Sequence, residues 1–473
     1  VTLLTRPLNP LNPRSFMELM HPARPYLISL LVAAYAVHVL TGWAWAAALQ
    51  GWLAVLCYLV SFPAARRMFQ VVGSLFIAAS LACMAWAGVP WSELPGLMTR
   101  NVMLVALLFM LPFVNRAIRL GGYDRNLSRW LNAPSGGMGQ LYVRSLAVSY
   151  ILSLFLFFAA LPLLHRVLGR QLRNAGEDTA RRFIGISVLR GFGMVAVWSP
   201  VEPLVATAVL LTGVSYLALL PWLLAVSLVL FAACCLWALK FRGLPLAPAQ
   251  EADPSRPPAQ PKAHSVPKTL VFLGALVLLI GSAFLLQAAL GSTFFAAMTF
   301  VLVPFAAGWA LLLRRFGRFA ALSRRHWKEG ADNLRHLLVL FLSFGLFNSV
   351  LARTPLLSEL SGSVESISGS PLLLFLIILA ASLVLPVLGI HPLVVMSLFG
   401  IFLQPVMEHV SPLSLAVVMI TSTLASSFMG TFNTTVTIMA GLLEVNPYRI
   451  TLWNLAYGIV FGGIGIAAGL LLL

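Results

Sequence analysis

Long apolar runs separated by short basic clusters constrain this chain more than any other feature. About 20 apolar residues cross the hydrocarbon core of a bilayer as one helix. Runs of that size lie at roughly 26–41, 43–62, 68–87, 101–122, 217–240, 268–291, 294–313, 335–353 and 447–472. Four further stretches, 141–164, 180–215, 371–407 and 412–446, are too long for one crossing or carry Pro, Gly and polar residues in their middles. Composition agrees, with 60% of the 473 residues hydrophobic and only 10% charged, against about 25% charged in an ordinary soluble domain. The net charge of +17 raises the question of nucleic acid. A nucleic-acid binder spreads its charge along a solvated face or tail, whereas here the basic residues sit between apolar runs, where short loops hold one side of a bilayer. The chain is therefore expected to be an all-α polytopic membrane protein whose surroundings are lipid, with no nucleic-acid partner.

The four cysteines, Cys57, Cys83, Cys234 and Cys235, all lie inside apolar runs and form neither a CxxC pair nor a loop bridge. The first apolar run follows Arg6, Arg14 and Arg24 and leads straight into the second. It reads as an anchor and not as a cleavable signal.

Charge then decides the topology. With the N-terminus cytoplasmic and every run crossing, 141–164 delivers His165, Arg166, Arg170, Arg173, Arg181 and Arg182 to the outside, against the preference of basic residues for the cytoplasmic face. If 141–164 and its continuation dip in and turn back, these residues return inside. Arg66, Arg67 and the clusters at 240–268 and 314–335 then fall inside as well, leaving only Arg100 and Arg353 of the 31 Lys and Arg outside, with the C-terminus. Backbone turns at membrane depth only where protein or a watery cavity satisfies it, so a re-entrant hairpin marks a site.

The stretch 241–267 holds seven prolines and reads as a cytoplasmic linker between similar halves. An offset of 231 pairs Trp222, Leu224, Ala225 and Val229 with Trp453, Leu455, Ala456 and Val460. Nearby offsets pair Asn115 with Asn348 and the Leu-Pro-Leu of 161–163 with the His-Pro-Leu of 391–393. The predicted organisation is an N-terminal segment and first transmembrane helix over 1–42 and a first repeat over 43–240. That repeat carries an inner re-entrant hairpin at about 141–172 and a broken helix at about 180–215. A second repeat over 268–473 has an outer hairpin at about 371–411 and a broken helix at about 412–446. This amounts to about 11 transmembrane helices plus two re-entrant hairpins in two inverted-topology repeats, an arrangement that places a binding site near the membrane midplane.

The candidate site residues come from the four discontinuities. Leu161-Pro162-Leu163 and Gly389-Ile390-His391-Pro392-Leu393 are the predicted hairpin tips; Trp198-Ser199-Pro200-Val201-Glu202-Pro203 and Gly430-Thr431-Phe432-Asn433-Thr434-Thr435 are the helix breaks. Proline removes a donor and clashes with the preceding turn. The freed half-helix ends favour anions at N-termini and cations at C-termini. Glu202 is the one carboxylate placed deep in the membrane region, which points to proton or cation coupling; capping of the second half-helix is the structural alternative. His391 either titrates or donates to an anion, or satisfies the hairpin backbone. Thr431, Asn433, Thr434 and Thr435 offer an amide and three hydroxyls for a cation or a carboxylate, or patch broken backbone. Asn115 and Asn348 read as helix-packing residues. Arg144 and Arg190 either attract an anion or snorkel to the headgroups, the latter being favoured. Segments 170–185 and 316–336 read as basic amphipathic surface helices.

In its order of elements the chain resembles the ion transporter superfamily, in particular the divalent-anion/sodium symporter branch. Gly430-Thr431-Phe432-Asn433 followed by an apolar arm is similar to the Gly-Thr-Pro-Pro-Asn break of that family, and LSFGLFNSVL is similar to the span before its outer hairpin. The tips here read Leu-Pro-Leu and Gly-Ile-His-Pro-Leu in place of the family's Ser-Asn-Thr motifs, and Ser199-Pro200-Val201-Glu202 stands where a Gly-Thr motif is expected. The resemblance implies a homodimer and an elevator mechanism in a bacterial inner membrane.

The expected function is secondary active transport of a small anion, carboxylate or oxyanion, coupled to protons or sodium. The alternative is a cation/proton antiporter with Glu202 as the exchanging carboxylate. Sodium or protons aside, no cofactor is expected. An enzyme acting on lipids is disfavoured because the eight histidines are scattered without metal-ligand spacing.

Overall fold

The computed structural model describes residues 23–121, 131, 137–241, 265–354, 370–403, 405–431 and 433–473. Most of the linker, and Phe432 in the second break, lie outside these residues. The helices are α1 (Arg24–Thr41), α2 (Ala44–Ser61), α3 (Arg67–Ala87), α4 (Val102–Gly121), α5 (Met138–Leu156), α6 (Ala160–Gln171), α7 (Glu177–Ala196), α8 (Pro203–Thr212) and α9 (Tyr216–Trp237). They continue with α10 (Ser265–Leu290), α11 (Phe294–Leu312), α12 (Phe316–Leu351), α13 (Pro371–Val387), α14 (Pro392–Phe402), α15 (Pro412–Ala425), α16 (Thr434–Leu443) and α17 (Pro447–Leu470). Among the described residues eight helices are long and apolar enough to cross a membrane, and α8, α13, α15 and α16 are shorter apolar pieces. The chain divides into one unit of Val1–Arg116 with Ala283–Leu360 and a second of Ala117–Ser282 with Ser361–Leu473.

In the first unit α3 lies against α12. Gly73 lets the two backbones approach: a Cβ there would sit 2.8 Å from a Val339 methyl. Phe76 meets Phe344 and Phe347 alongside. Residues assigned to one face by the charge argument meet in pairs: the Arg66 amide donates to His336 Nδ1 at 3.0 Å, Arg24 pairs with Asp332, and Arg353 pairs with Glu93.

Two expectations fail here for local reasons. The separate surface helix at 316–336 and span at 335–353 are one 36-residue helix, α12. No proline interrupts it, Arg335 pairs with Asp332 one turn back, and buried Ala331, Leu334 and Leu338 keep one face continuous. At 1.5 Å per residue it is about 54 Å long, longer than the hydrocarbon core. The expected surface helix at 170–185 is instead the end of α6, a turn, and the start of α7, because Gly176 takes φ 75° as the cap of α7.

In the second unit contacts fix the helix directions. Tyr142 meets Phe183, Ser149 Oγ donates to the Val188 carbonyl, and Phe157 meets Phe192, so α5 and α7 run the same way with α6 returning between them. Along α17, Gly469 faces Phe375 and Ser414, Gly465 faces Thr421, Gly462 faces Leu379 and Gly458 faces Met429. Helices α13 and α15 therefore both run antiparallel to α17, and α14 returns between them. Helix α7 runs with α17, since Gly185 meets Trp453 and Arg190 reaches Tyr457. The set α5–α6–α7 thus runs opposite to α13–α14–α15.

The glycines of α17 form the closest packing of this unit, the small-residue helix contact common in membranes. A Cβ on Gly465 would lie 1.9 Å from Thr421 Oγ1, whereas Gly463 on the other face has open space. Gly465→Ala is expected to lower the melting temperature of the purified protein, by roughly 1–3 kcal/mol of overpacking; Gly463→Ala is expected to leave it unchanged.

Candidate functional site

Two interrupted helices, each beside a hairpin, make the candidate site. Helix α7 stops at Ala196, the chain turns through Val197–Val201, and α8 starts at Pro203. Pro203 needs no donor at the first helical position, and Glu202 caps the helix by accepting the Leu204 amide at 3.5 Å. At an offset of 231, α15 runs into a tight turn over Ser426–Phe428, and α16 starts at Thr434. Its cap is Asn433, which accepts the Thr435 amide at 3.3 Å. The correspondence extends to the backbone, with the Glu202 amide donating to the Ser199 carbonyl and the Asn433 amide to the Gly430 carbonyl. It reaches the far ends of α8 and α16 too, which close on Gly213 and Glu444, both left-handed, at φ 70° and 54°. Glycine tolerates that conformation while a side chain costs about 1–2 kcal/mol there. Glu444→Gly is therefore expected to raise the melting temperature.

The two caps differ in charge. Glu202 is 7% exposed and Asn433 8%; among the described ion pairs none includes Glu202. A buried carboxylate with one long backbone donor is short of partners. Ser199 is buried as well, and its hydroxyl has no hydrogen-bond partner. Pro200 is buried between these two residues.

The second break is better satisfied. Gly430 donates to the Ser426 carbonyl at 2.6 Å, and a Cβ there would crowd that oxygen at 2.8 Å and Pro386 of α13 at 3.1 Å. Only glycine fits. Thr431 Oγ1 meets Thr451 Oγ1 of α17 at 3.1 Å, and Thr435 Oγ1 donates to the Ser427 carbonyl. Thr434 sits apart from this cluster: it is exposed on the first turn of α16.

The first hairpin tip lies elsewhere than its proline suggested, whereas the second falls within Gly389–Leu393. The first hairpin turns at Phe157–Ala159, where Phe157 takes φ 50°, and Pro162 falls in the first turn of α6. A proline there displaces no hydrogen bond, so Leu161-Pro162-Leu163 continues the helix and does not form the tip. In the second hairpin Gly389 makes the turn at φ 104°, and His391 caps α14, its Nδ1 accepting the Leu393 amide at 3.2 Å, with Pro392 at the first helical position. His391 thus meets the backbone need of the hairpin with one ring nitrogen. Gly430 touches the end of α13, so the second tip and the second break are neighbours; the breaks approach each other where Phe428 packs on Gly193 of α7.

Tyr150, Ser227 and Tyr216 were not among the residues the sequence singled out. Trp198 Nε1 donates to Tyr150 Oη at 2.6 Å, which lies 2.8 Å from Ser227 Oγ, and Ser227 Oγ donates to the Met194 carbonyl at 2.8 Å. With its proton used there, Ser227 accepts from Tyr150. This chain ties α5, α7 and α9 together just before the first break, and Tyr216 Oη donates to the Trp198 carbonyl beside it. Arg190, for which the sequence favoured snorkelling over attracting an anion, is the larger departure. It is 0% exposed and does not reach the headgroups. Its Nε donates to Asn454 Oδ1 at 3.2 Å, Nη1 to Tyr142 Oη at 3.2 Å and Nη2 to the Trp453 carbonyl at 3.4 Å. The Trp237 and Tyr457 rings each lie 4.6 Å from its guanidinium carbon. A cleft of about 320 Å³ opens between α6, the start of α7 and the end of α16, lined by His165, Arg173, Arg181, Glu177 and Glu444 among others.

Tyr150→Phe leaves the Trp198 indole N–H buried without its acceptor. It is expected to cost about 1–3 kcal/mol of stability and to shift the tryptophan emission of the purified protein.

No protein-family model and no curated protein matches the chain. Among solved structures it is similar to the YdaH transporter of Alcanivorax borkumensis, with a TM-score of 0.59 at 15% identity over 84% of this chain and 97% of that one. At that identity the likeness shows a shared fold. Together with eight helices fit to cross a bilayer, it makes the chain a polytopic integral membrane protein with the fold of a membrane transporter.

Proposed function

We propose that this protein is a secondary active transporter of a small anion, a carboxylate or oxyanion, coupled to protons or sodium. The observation that carries the reading is the charge asymmetry of two otherwise matching helix breaks. At the first, the carboxylate of Glu202 occupies the anion-favouring N-terminus of α8. What this break can gain is a proton or a cation, held by Glu202 with the Ser199 hydroxyl and the end of α7. At the second, the cap is a neutral amide, so the N-terminus of α16, with Asn433, Thr431 and Thr435, suits an anion. The fold shared with a transporter supports transport as the activity.

The two opposed helix sets, α5–α9 and α13–α17, are on this reading inverted repeats around a midplane site. The resemblance adds a homodimer and an elevator in which the hairpins, broken helices and last spans move. It also suggests a bacterial inner membrane with the N-terminus inside and the C-terminus outside. His391 and Pro162 then act in shaping the hairpins, Gly389, Pro200 and Gly430 in turning the chain, and Thr434 as a hydroxyl at the mouth of the second break.

Uptake of radiolabelled succinate and sulfate into proteoliposomes, under an imposed proton or sodium gradient, tests this. One of the two anions is expected to accumulate under one of the gradients. Glu202→Gln is expected to reduce gradient-driven accumulation at least about tenfold while leaving exchange of the anion down its own gradient, since the substitution removes the coupling group and not the anion's donors. The unpaired Glu202 carboxylate also supports a second reading, cation/proton antiport. Sodium-driven proton movement in the absence of any added anion would favour it.

A further inference from the structure

We infer that Arg190 is the fixed countercharge for the anion, a specificity-determining residue that acts on charge from within the packing and not by contact. The inference rests on the anion reading above. An arginine taken out of water is held with a carboxylate beside it or not at all, unless the surroundings supply other compensation. Here the guanidinium is fully buried, and its described partners are an amide oxygen, a phenol and a backbone carbonyl, with two aromatic faces above and below. All of these orient dipoles or π-density toward it, and none cancels its charge. Among the described residues, the positive charge of Arg190 is thus left without a countercharge in contact.

The position gives that charge a target. Trp198 at the first break lies eight positions beyond Arg190, just past the end of α7, about 12 Å at the helical rise. Toward the second break the path is shorter in contacts: the guanidinium lies over the Tyr457 ring, and that ring lies 5.2 Å from Phe428, which ends the turn before Gly430. Over roughly 12 Å, the two ring contacts and the turn to Gly430, at an effective dielectric constant near 20, one unit charge changes the affinity about tenfold for a monovalent anion and about a hundredfold for a dianion. A cation at the first break neutralises Glu202, and an anion at the second then neutralises Arg190. A monovalent anion with one coupling cation, and a dianion with two, thus leave the loaded interior uncharged, the condition that favours moving it through lipid.

The test separates charge from packing with three variants in lipid nanodiscs, titrated with succinate and with sulfate and followed by tryptophan fluorescence, melting temperature being recorded for each. Arg190→Lys keeps the charge and loses the planar fork. Arg190→Gln loses both. Asn454→Asp keeps the fork and sets a carboxylate against Arg190 Nε, at the loss of the hydrogen bond that Asn454 Nδ2 makes to the Ile450 carbonyl. If Arg190 acts through its charge, wild type and Arg190→Lys bind the better of the two anions alike, and Arg190→Gln and Asn454→Asp bind it about a hundredfold more weakly, both probes being dianions. Should Arg190→Gln fail to fold, the comparison of Asn454→Asp with wild type decides alone. Equal affinity in Asn454→Asp and wild type overturns the inference and leaves Arg190 a packing residue. Wild type that responds to neither anion overturns it as well, and in that case the anion reading falls with it; a wild-type response unchanged in Asn454→Asp leaves that reading standing.

Discussion

Everything in the second unit depends on how a chain can interrupt a helix in the apolar interior without leaving backbone groups unpaired. An unsatisfied amide or carbonyl there costs several kcal/mol, in the absence of water to take its place. Both interruptions use one solution. The last turn tightens, the chain reverses direction by a few residues, and a side-chain oxygen, from Glu202 or Asn433, takes up an amide of the helix that follows. The Tyr216 phenol of α9 completes the shell at the first break, and the Thr435 hydroxyl of α16 itself does so at the second. At the first break Ser199 Oγ has no hydrogen-bond partner, and the Glu202 carboxylate has one long one.

The same two positions show how repetition and function part company. With matched spacing, matched backbone hydrogen bonds and matched helix ends, the two caps differ in chemical kind, an ionisable carboxyl against a neutral carboxamide. The first break so acquires a net charge that the second lacks. Helix capping does not call for that difference, since Asn is among the best N-cap residues and Glu is not.

How far the residues announced this structure varies with the range of the interactions involved. Helix breaks at Trp198–Pro203 and Gly430–Thr435 were legible because proline and glycine act on their own backbone. The first hairpin tip was misplaced by several residues, because Pro162 is harmless in the opening turn of a helix and the strained residue is Phe157, whose type gives no hint of a positive φ. The length of α12 was missed because a change from charged to apolar sequence looks like a boundary when no breaker marks one. Arg190 was the least legible of all: its burial is made by Asn454 and Trp453, more than 260 positions away, and by rings of α9 and α17. Read alone, an arginine one or two turns from a basic cluster looks like a headgroup contact. The 231-residue offset was visible, and extending it from the apolar matches to the polar ones would have paired Glu202 with Asn433 beforehand.

The glycine ridge of α17 bears on motion. Four close approaches, at Gly458, Gly462, Gly465 and Gly469, key this helix to α13 and α15 along nearly its whole length. Interlocked side chains of that kind cannot slide by a fraction of a turn without collision, so the three helices behave as a single rigid blade. A change of shape at the second break is thus forced out of the blade and into α14, α16 and the turns that join them to it, which makes those short pieces the joints of the unit and the long helices its levers.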